Sequence, residues 1–170
     1  MNVSRTSLLS FASLGLFALL TWTGCTRYAP YDGEFFDCEC GTLVWDGREL
    51  GMRMAEVEQL DSTTYRYHVI ADLRDQEELD ARMEPRDVIL TLTTSFVGAS
   101  TSLTLEAGDA AMTVQEVDSP GSEVPWTMNG ADLAISASEE AHVMTLNSLS
   151  AKRGNKTVAA SGEFTFEIGD

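Results

Sequence analysis

Tyr65-Arg66-Tyr67-His68-Val69-Ile70-Ala71-Asp72 decides the architecture of this 170-residue chain. Tyr65, Tyr67, Val69 and Ala71 alternate with Arg66, His68, Ile70 and Asp72, and a period of two places successive side chains on opposite faces of an extended strand. The same period returns at Val88, Leu90 and Leu92, with Phe96 on the same face, and at Phe164, Phe166 and Ile168 around Thr165 and Glu167. Further short runs at 41–46, 52–59, 101–106, 111–117, 132–138 and 142–150 are separated by Gly, Pro, Asn, Asp or Ser. These are strands with one face buried.

Asp46-Gly47 follows Leu43-Val44-Trp45, and Asn129-Gly130 lies between Trp126-Thr127-Met128 and Leu133-Ala134-Ile135. Both dipeptides accept the positive φ of a two-residue hairpin turn, so a turn is expected at each. Arg153-Gly154-Asn155 separates two long runs and predicts a closing hairpin. One helix is expected over 74–83, capped by Asp72 or Asp75, with Leu79 and Met83 on one face, Glu78 paired with Arg82, and Pro85 as the stop. Eight or nine strands with one short helix predict an all-β protein, an antiparallel β-sandwich first and a partly closed β-barrel as the alternative.

The N-terminus carries a different signal. Arg5 precedes a run from Leu8 to Leu20 that is apolar or small throughout, of secretory length and too short for a bilayer core of about 30 Å. The run ends on Thr21-Trp22-Thr23-Gly24-Cys25, which resembles a bacterial lipobox, with Trp22 standing where an aliphatic residue is usual. The resemblance implies a cleaved signal peptide over 1–24 and a lipid-anchored N-terminal Cys25; the other reading is a plain signal peptide cut nearby. Thr26 after the cysteine, in place of Asp, resembles lipoproteins sorted to the outer membrane. Residues 25–33, with Pro30 and Gly33 and no period, are expected to form the lipid-anchored tether, and 34–170 one sandwich domain.

Eleven Lys and Arg stand against 27 Asp and Glu, a net charge of −16. The signal peptide carries only Arg5, so its removal leaves a more acidic chain still. Such a surface repels nucleic acid and anionic headgroups. With only Lys152 and Lys156 among the bases that are not Arg, the balance resembles proteins of high-salt environments, or equally an acidic surface kept soluble by its charge. The segment Ser161-Gly162-Glu163-Phe164-Thr165-Phe166 resembles the closing hairpin of small uncharacterised β-sandwich lipoproteins, a likeness that implies no activity.

Several constellations are candidates for chemistry. Cys38 and Cys40 point to one face of a strand with α-carbons nearly 7 Å apart, so a disulfide between them requires a kink, which Gly41 permits. A redox-active pair, a Cu(I) site, free thiols and pairing between chains are the other readings of the two thiols. His68 lies on the face opposite Tyr65 and Tyr67, and it and His142 are the only histidines. The acids Asp72, Asp75, Glu77, Glu78 and Asp80 lack an EF-hand pattern and fit the wet face of a helix. Gly98-Ala99-Ser100-Thr101-Ser102 lacks the second glycine of a nucleophile elbow. Trp45 and Trp126 each precede an expected turn; they either close one end of the core or stack on a ligand at the rim.

No metal site or cofactor is implied. The expectation is a non-catalytic cell-envelope lipoprotein, held to the membrane by its lipid anchor and displaying its domain to a protein or glycan partner. An envelope enzyme assembled only in the fold, and a redox or copper-handling protein using Cys38 and Cys40, are the alternatives.

Overall fold

The computed structural model describes residues 38–119 and 122–168. The expected signal peptide over 1–24, Cys25 and the tether through residue 33 lie outside them. The elements in chain order are β1 (Gly41–Trp45), β2 (Arg48–Gln59), β3 (Thr64–Asp72), α1 (Gln76–Asp80), β4 (Asp87–Ser95), β5 (Ser100–Glu106), β6 (Met112–Ser119), β7 (Ser122–Ala137), β8 (Ala141–Arg153) and β9 (Lys156–Glu167). The expected all-β fold with one short helix is present, with nine strands among the described residues.

The strands do not divide into two sheets. Their order is β5-β7-β6-β4-β3-β2-β1-β9-β8, and a further pairing of β7 with β8 joins the run to itself. Eight strands therefore form a closed antiparallel barrel, which replaces the sandwich and agrees with the alternative. The long strand β7 makes the closure. Its first part, Glu123 to Trp126, pairs with β6, and its later part, Thr127 to Ala137, pairs with β8. The turn expected at Asn129-Gly130 does not form. Gly130 instead follows a register shift in the β7–β8 ladder between Met128 and Gly130, a bulge that bends the strand while keeping it continuous.

The alternation of the sequence becomes an inside and an outside. Tyr67, Val69 and Ala71 of β3, Val88, Leu90 and Leu92 of β4, and Phe164 and Phe166 of β9 are buried, while Arg66 and Glu163 face water. Eight strands enclose a space that side chains can fill, and here Leu43, Leu50, Met52, Leu133, Ile135 and Leu146 complete the filling. Each such burial contributes about 1.5–3 kcal/mol from the apolar surface removed from water.

Asp46 and Gly47, with φ of 52° and 79°, form the two-residue β1–β2 turn as expected. Arg153 pairs with Lys156 across Gly154-Asn155, the expected closing hairpin. These two turns mark one end of the barrel, here the tryptophan end. The other is the disulfide end, where β1 begins and β2, β4, β7 and β9 finish. The helix is shorter than expected. Asp75 caps it by accepting from the Glu78 amide while Glu78 accepts from the Asp75 amide, a reciprocal capping box. Arg82 has a φ of 55°, past the helix end, and Glu78 pairs with Arg86 rather than with Arg82.

Candidate functional site

The disulfide end holds the more enclosed of two grooves in the barrel wall. Cys38 and Cys40 are bonded, with α-carbons 5.0 Å apart, and the kink this demands is followed by Gly41 at a φ of 130°. The Thr165 amide donates to the Cys40 carbonyl and fixes the kink against β9. Because β1 is only five residues long, it pairs with β2 at Arg48, Glu49 and Leu50 alone. Beyond Gly41 the wall opens into a groove of about 410 Å³, between Ala55, Glu56 and Val57 of β2 and Thr165 and Glu167 of β9. Cys38, Glu39 and Cys40 form its remaining border. Among the described residues its ionisable lining is Glu39, Glu56 and Glu167, all acidic.

Beneath the same end lies a buried histidine. His142 is 3% exposed, and its Nδ1 lies 2.7 Å from the Tyr67 hydroxyl. Tyr65 meets the imidazole edge-on at 4.9 Å, and Phe96 and Tyr67 lie at 6.0 and 5.8 Å between ring centres. Burial lowers the His142 pKa from its ordinary value and raises that of Tyr67. The neutral imidazole and the Tyr67 hydroxyl are hydrogen-bonded through Nδ1, and the ring tautomer sets which of the two donates. Its inward position is legible in the sequence, since His142, Met144 and Leu146 occupy alternate positions of one run and all three are buried. His68 points outward as expected, 3.1 Å from the Thr91 hydroxyl on the neighbouring strand. The two histidines thus lie on opposite faces of the wall.

At the tryptophan end, Trp45 and Trp126 pack edge to face with ring centres 5.6 Å apart, each 5% exposed. The open stacking face expected of a rim tryptophan is absent, because each ring covers the other and Arg153 lies 4.7 Å over Trp126. The Trp126 indole N–H donates to Glu116, whose carboxylate also meets Arg153 at 2.8 Å. Both rings close the core, the other of the two readings.

Where β3 ends and β4 begins lies an ion network that the sequence did not reveal. The Asp72 carboxylate accepts from Arg74 at 2.7 Å and from Arg53, and Arg53 also reaches Asp87 at 2.7 Å. Arg74 donates on to the Met83 carbonyl, and Arg48 to the Leu73 carbonyl, so the network pins the 73–86 connection to the wall. Burial raises the Asp87 pKa against the opposing pull of Arg53. The four charged residues come from β2, β3, β4 and the connection after β3, and apart from Asp72 and Arg74, two residues apart, no local spacing signals their meeting. Asp72, offered as a helix cap, serves here; Asp75 does the capping.

A second, shallower groove of about 800 Å³ crosses the outer wall, where Glu106 of β5, Asn129 and Asp132 of β7, and Ser148 and Ser150 of β8 are among its lining. Among the described residues no group of three or more His, Cys, Asp or Glu side chains is placed to hold a metal ion. No described helix is long and apolar enough to cross a membrane. Comparison with protein-family models, curated proteins and solved structures finds no match to this chain.

Proposed function

We propose that this chain is a lipid-anchored protein of the bacterial cell envelope, and that its barrel is a non-catalytic module binding a protein or glycan partner at the groove beside Cys38 and Cys40. The observation that carries the reading is the position of that groove, bordered by the first residues after the Cys25-bearing segment. Twelve residues, 26–37, separate Cys25 from Cys38, a reach of at most about 40 Å when fully extended. A barrel so tethered keeps its disulfide end within reach of the membrane and whatever lies on it.

The other buried or half-buried ionisable side chains also favour binding over chemistry. His142 is sealed among aromatic rings, and Asp72, Asp87 and Glu116 are engaged with arginines. Among the described residues the groove presents three carboxylates beside Ala55, Val57, Thr165 and the disulfide, a surface for a neutral or cationic partner. The sorting reading from Thr26 places the anchor in the outer membrane.

The anchor is tested by the intact mass of the protein taken from membranes, before and after reduction. A chain beginning at Cys25 with added acyl mass, gaining two hydrogens on reduction, is expected; an unacylated chain overturns the address. The binding site is tested by placing a photo-crosslinking residue at Glu56 in the groove or at Thr113 on the outer wall. A discrete adduct from position 56 alone is expected in intact cells, and equal yields from both positions would discard the groove as the contact.

A further inference from the structure

Closing the barrel leaves one strand with a single partner. β5 pairs with β7 through all seven of its residues, Ser100 against Ser136 to Glu106 against Gly130, and stands last in the strand order. β5 and β6 share the length of β7, and only β6 continues to β4. The second edge of β5 thus meets no strand among the described residues. Natural edges are blunted with lysine, proline, bulges or very short strands. Ser100-Thr101-Ser102-Leu103-Thr104-Leu105-Glu106 has none of these, and its register on β7 is unbroken.

Charge tells what covers it. The chain carries −16 overall, yet no charged residue occurs from Val88 through Leu105, and Val97 in the connection leading into β5 is 85% exposed. Two copies of so acidic a protein repel one another across most of their surface, and this stretch is where they meet without opposing charges. We propose that β5 pairs with β5 of a second copy, antiparallel about Leu103, to form a twofold dimer with one sheet running through both barrels. In that register Ser100 faces Glu106, Thr101 faces Leu105, Ser102 faces Thr104 and Leu103 faces Leu103 of the other copy. The arrangement is self-complementary, and it sets the two Glu106 side chains at opposite ends. Because β7 already occupies the other edge of each β5, the pairing ends at two copies and does not propagate. The twofold turns one barrel end for end, and the reach of residues 26–37, about 40 Å, exceeds the roughly 33 Å of a ten-residue strand, so both anchors can enter one leaflet.

The experiment is sedimentation velocity of the full chain in detergent, with micelles in excess over protein, at about 0.15 M and about 1 M salt. A dimer that tightens with salt is expected, because salt screens the repulsion between the remaining surfaces. S102E/T104E places a glutamate opposite a glutamate of the other copy twice over, and should weaken the dimer at least about tenfold. T113E/T157E adds the same charge at exposed wall positions and should leave the dimer in place. Hydrogen exchange of the unaltered protein at low and high concentration gives a readout independent of any variant: amides of 100–106 should gain protection on association. A monomer at both salts, equal loss in both variants, or protection gained elsewhere overturns the proposal.

Discussion

The Tyr67 hydroxyl and the His142 Nδ1 lie 2.7 Å apart and tie β3 to β8 across the interior of the barrel. Burial disfavours the charged imidazole, so the pKa of His142 is lower folded than unfolded, where it lies near 6.5. The unfolded chain therefore binds the proton more readily, and stability falls as pH drops below about 6.5 and is level above it for this group. Replacing His142 by Gln should flatten the difference in unfolding midpoint between pH 5 and 7. Asp87, whose pKa is raised, contributes a slope of the opposite sign beginning above 3.8, and the His142→Gln comparison cancels it. An unchanged pH slope in the variant would remove His142 as its source.

Tyr67→Phe tests the same contact from the other side. It keeps the ring and deletes the hydroxyl, leaving the buried His142 Nδ1 without its partner, at a cost of about 1–3 kcal/mol by urea unfolding at pH 7.5. A loss under about 0.5 kcal/mol would mean that the hydrogen bond contributes little beyond the packing of the rings.

Asp72 is the junction of the ion network, and its replacement should be the most damaging on that side of the barrel. Asp72→Ala strands the Arg74 guanidinium, whose side chain is fully buried, without its carboxylate. Breaking a buried pair from one side costs about 3–5 kcal/mol, because the remaining charge is left uncompensated. Asp87→Ala, removing a partner that is 23% exposed, should cost clearly less. Equal losses in the two variants would contradict the central place given to Asp72.

How far the sequence foretells this structure differs element by element. Strand faces were legible because alternation reports burial directly: Tyr67, Val69 and Ala71 are inside as the period of two requires. Barrel or sandwich was not, since both bury one face of every strand, and the difference lies in the pairing of Thr127–Ala137 with β8. Asn129-Gly130 misled because a dipeptide that tolerates a turn also tolerates a bulge, and the flanking pairing decides which one forms. That a bond between Cys38 and Cys40 requires a kink was legible from strand geometry, but the choice between that bond and the other readings of the two thiols was not. The Arg53, Asp72, Arg74 and Asp87 network was not, because tertiary contact assembles it from separate elements.

Gly162 is needed for space and not for a turn. A β-carbon there would sit 2.3 Å from the Thr42 carbonyl oxygen and 2.9 Å from the Phe164 ring, where β1 and β9 run side by side. Gly162→Ala should destabilise the protein by about 1–3 kcal/mol, the cost of forcing an extra methyl into a packed wall. At Gly154 in the β8–β9 turn nothing lies within 4 Å of the added carbon, but φ is 60°, so an alanine there tests backbone strain in place of crowding. Phe164→Leu should partly rescue Gly162→Ala and leave Gly154→Ala unaffected. Absence of rescue would assign the cost to the β1 backbone, the Thr42 carbonyl and the Leu43 α-carbon.

The disulfide contributes less to stability than its position suggests. Cys38 and Cys40 are two residues apart, so the bond closes a loop of three residues. On the chain-entropy model that loop is worth about 1.6 kcal/mol, well below the 2–4 kcal/mol typical of longer loops. Reduction, or Cys38→Ser with Cys40→Ser, should therefore lower stability by no more than about 2 kcal/mol and leave the barrel folded by near-ultraviolet circular dichroism. The local effect should be larger. With the bond open, the α-carbons are free to move from 5.0 Å toward the nearly 7 Å of an extended strand, reshaping the border of the groove beside Glu39. Partner crosslinking from position 56 should therefore respond to reduction more strongly than the unfolding midpoint does. Global unfolding on reduction would show instead that the bond holds the wall together.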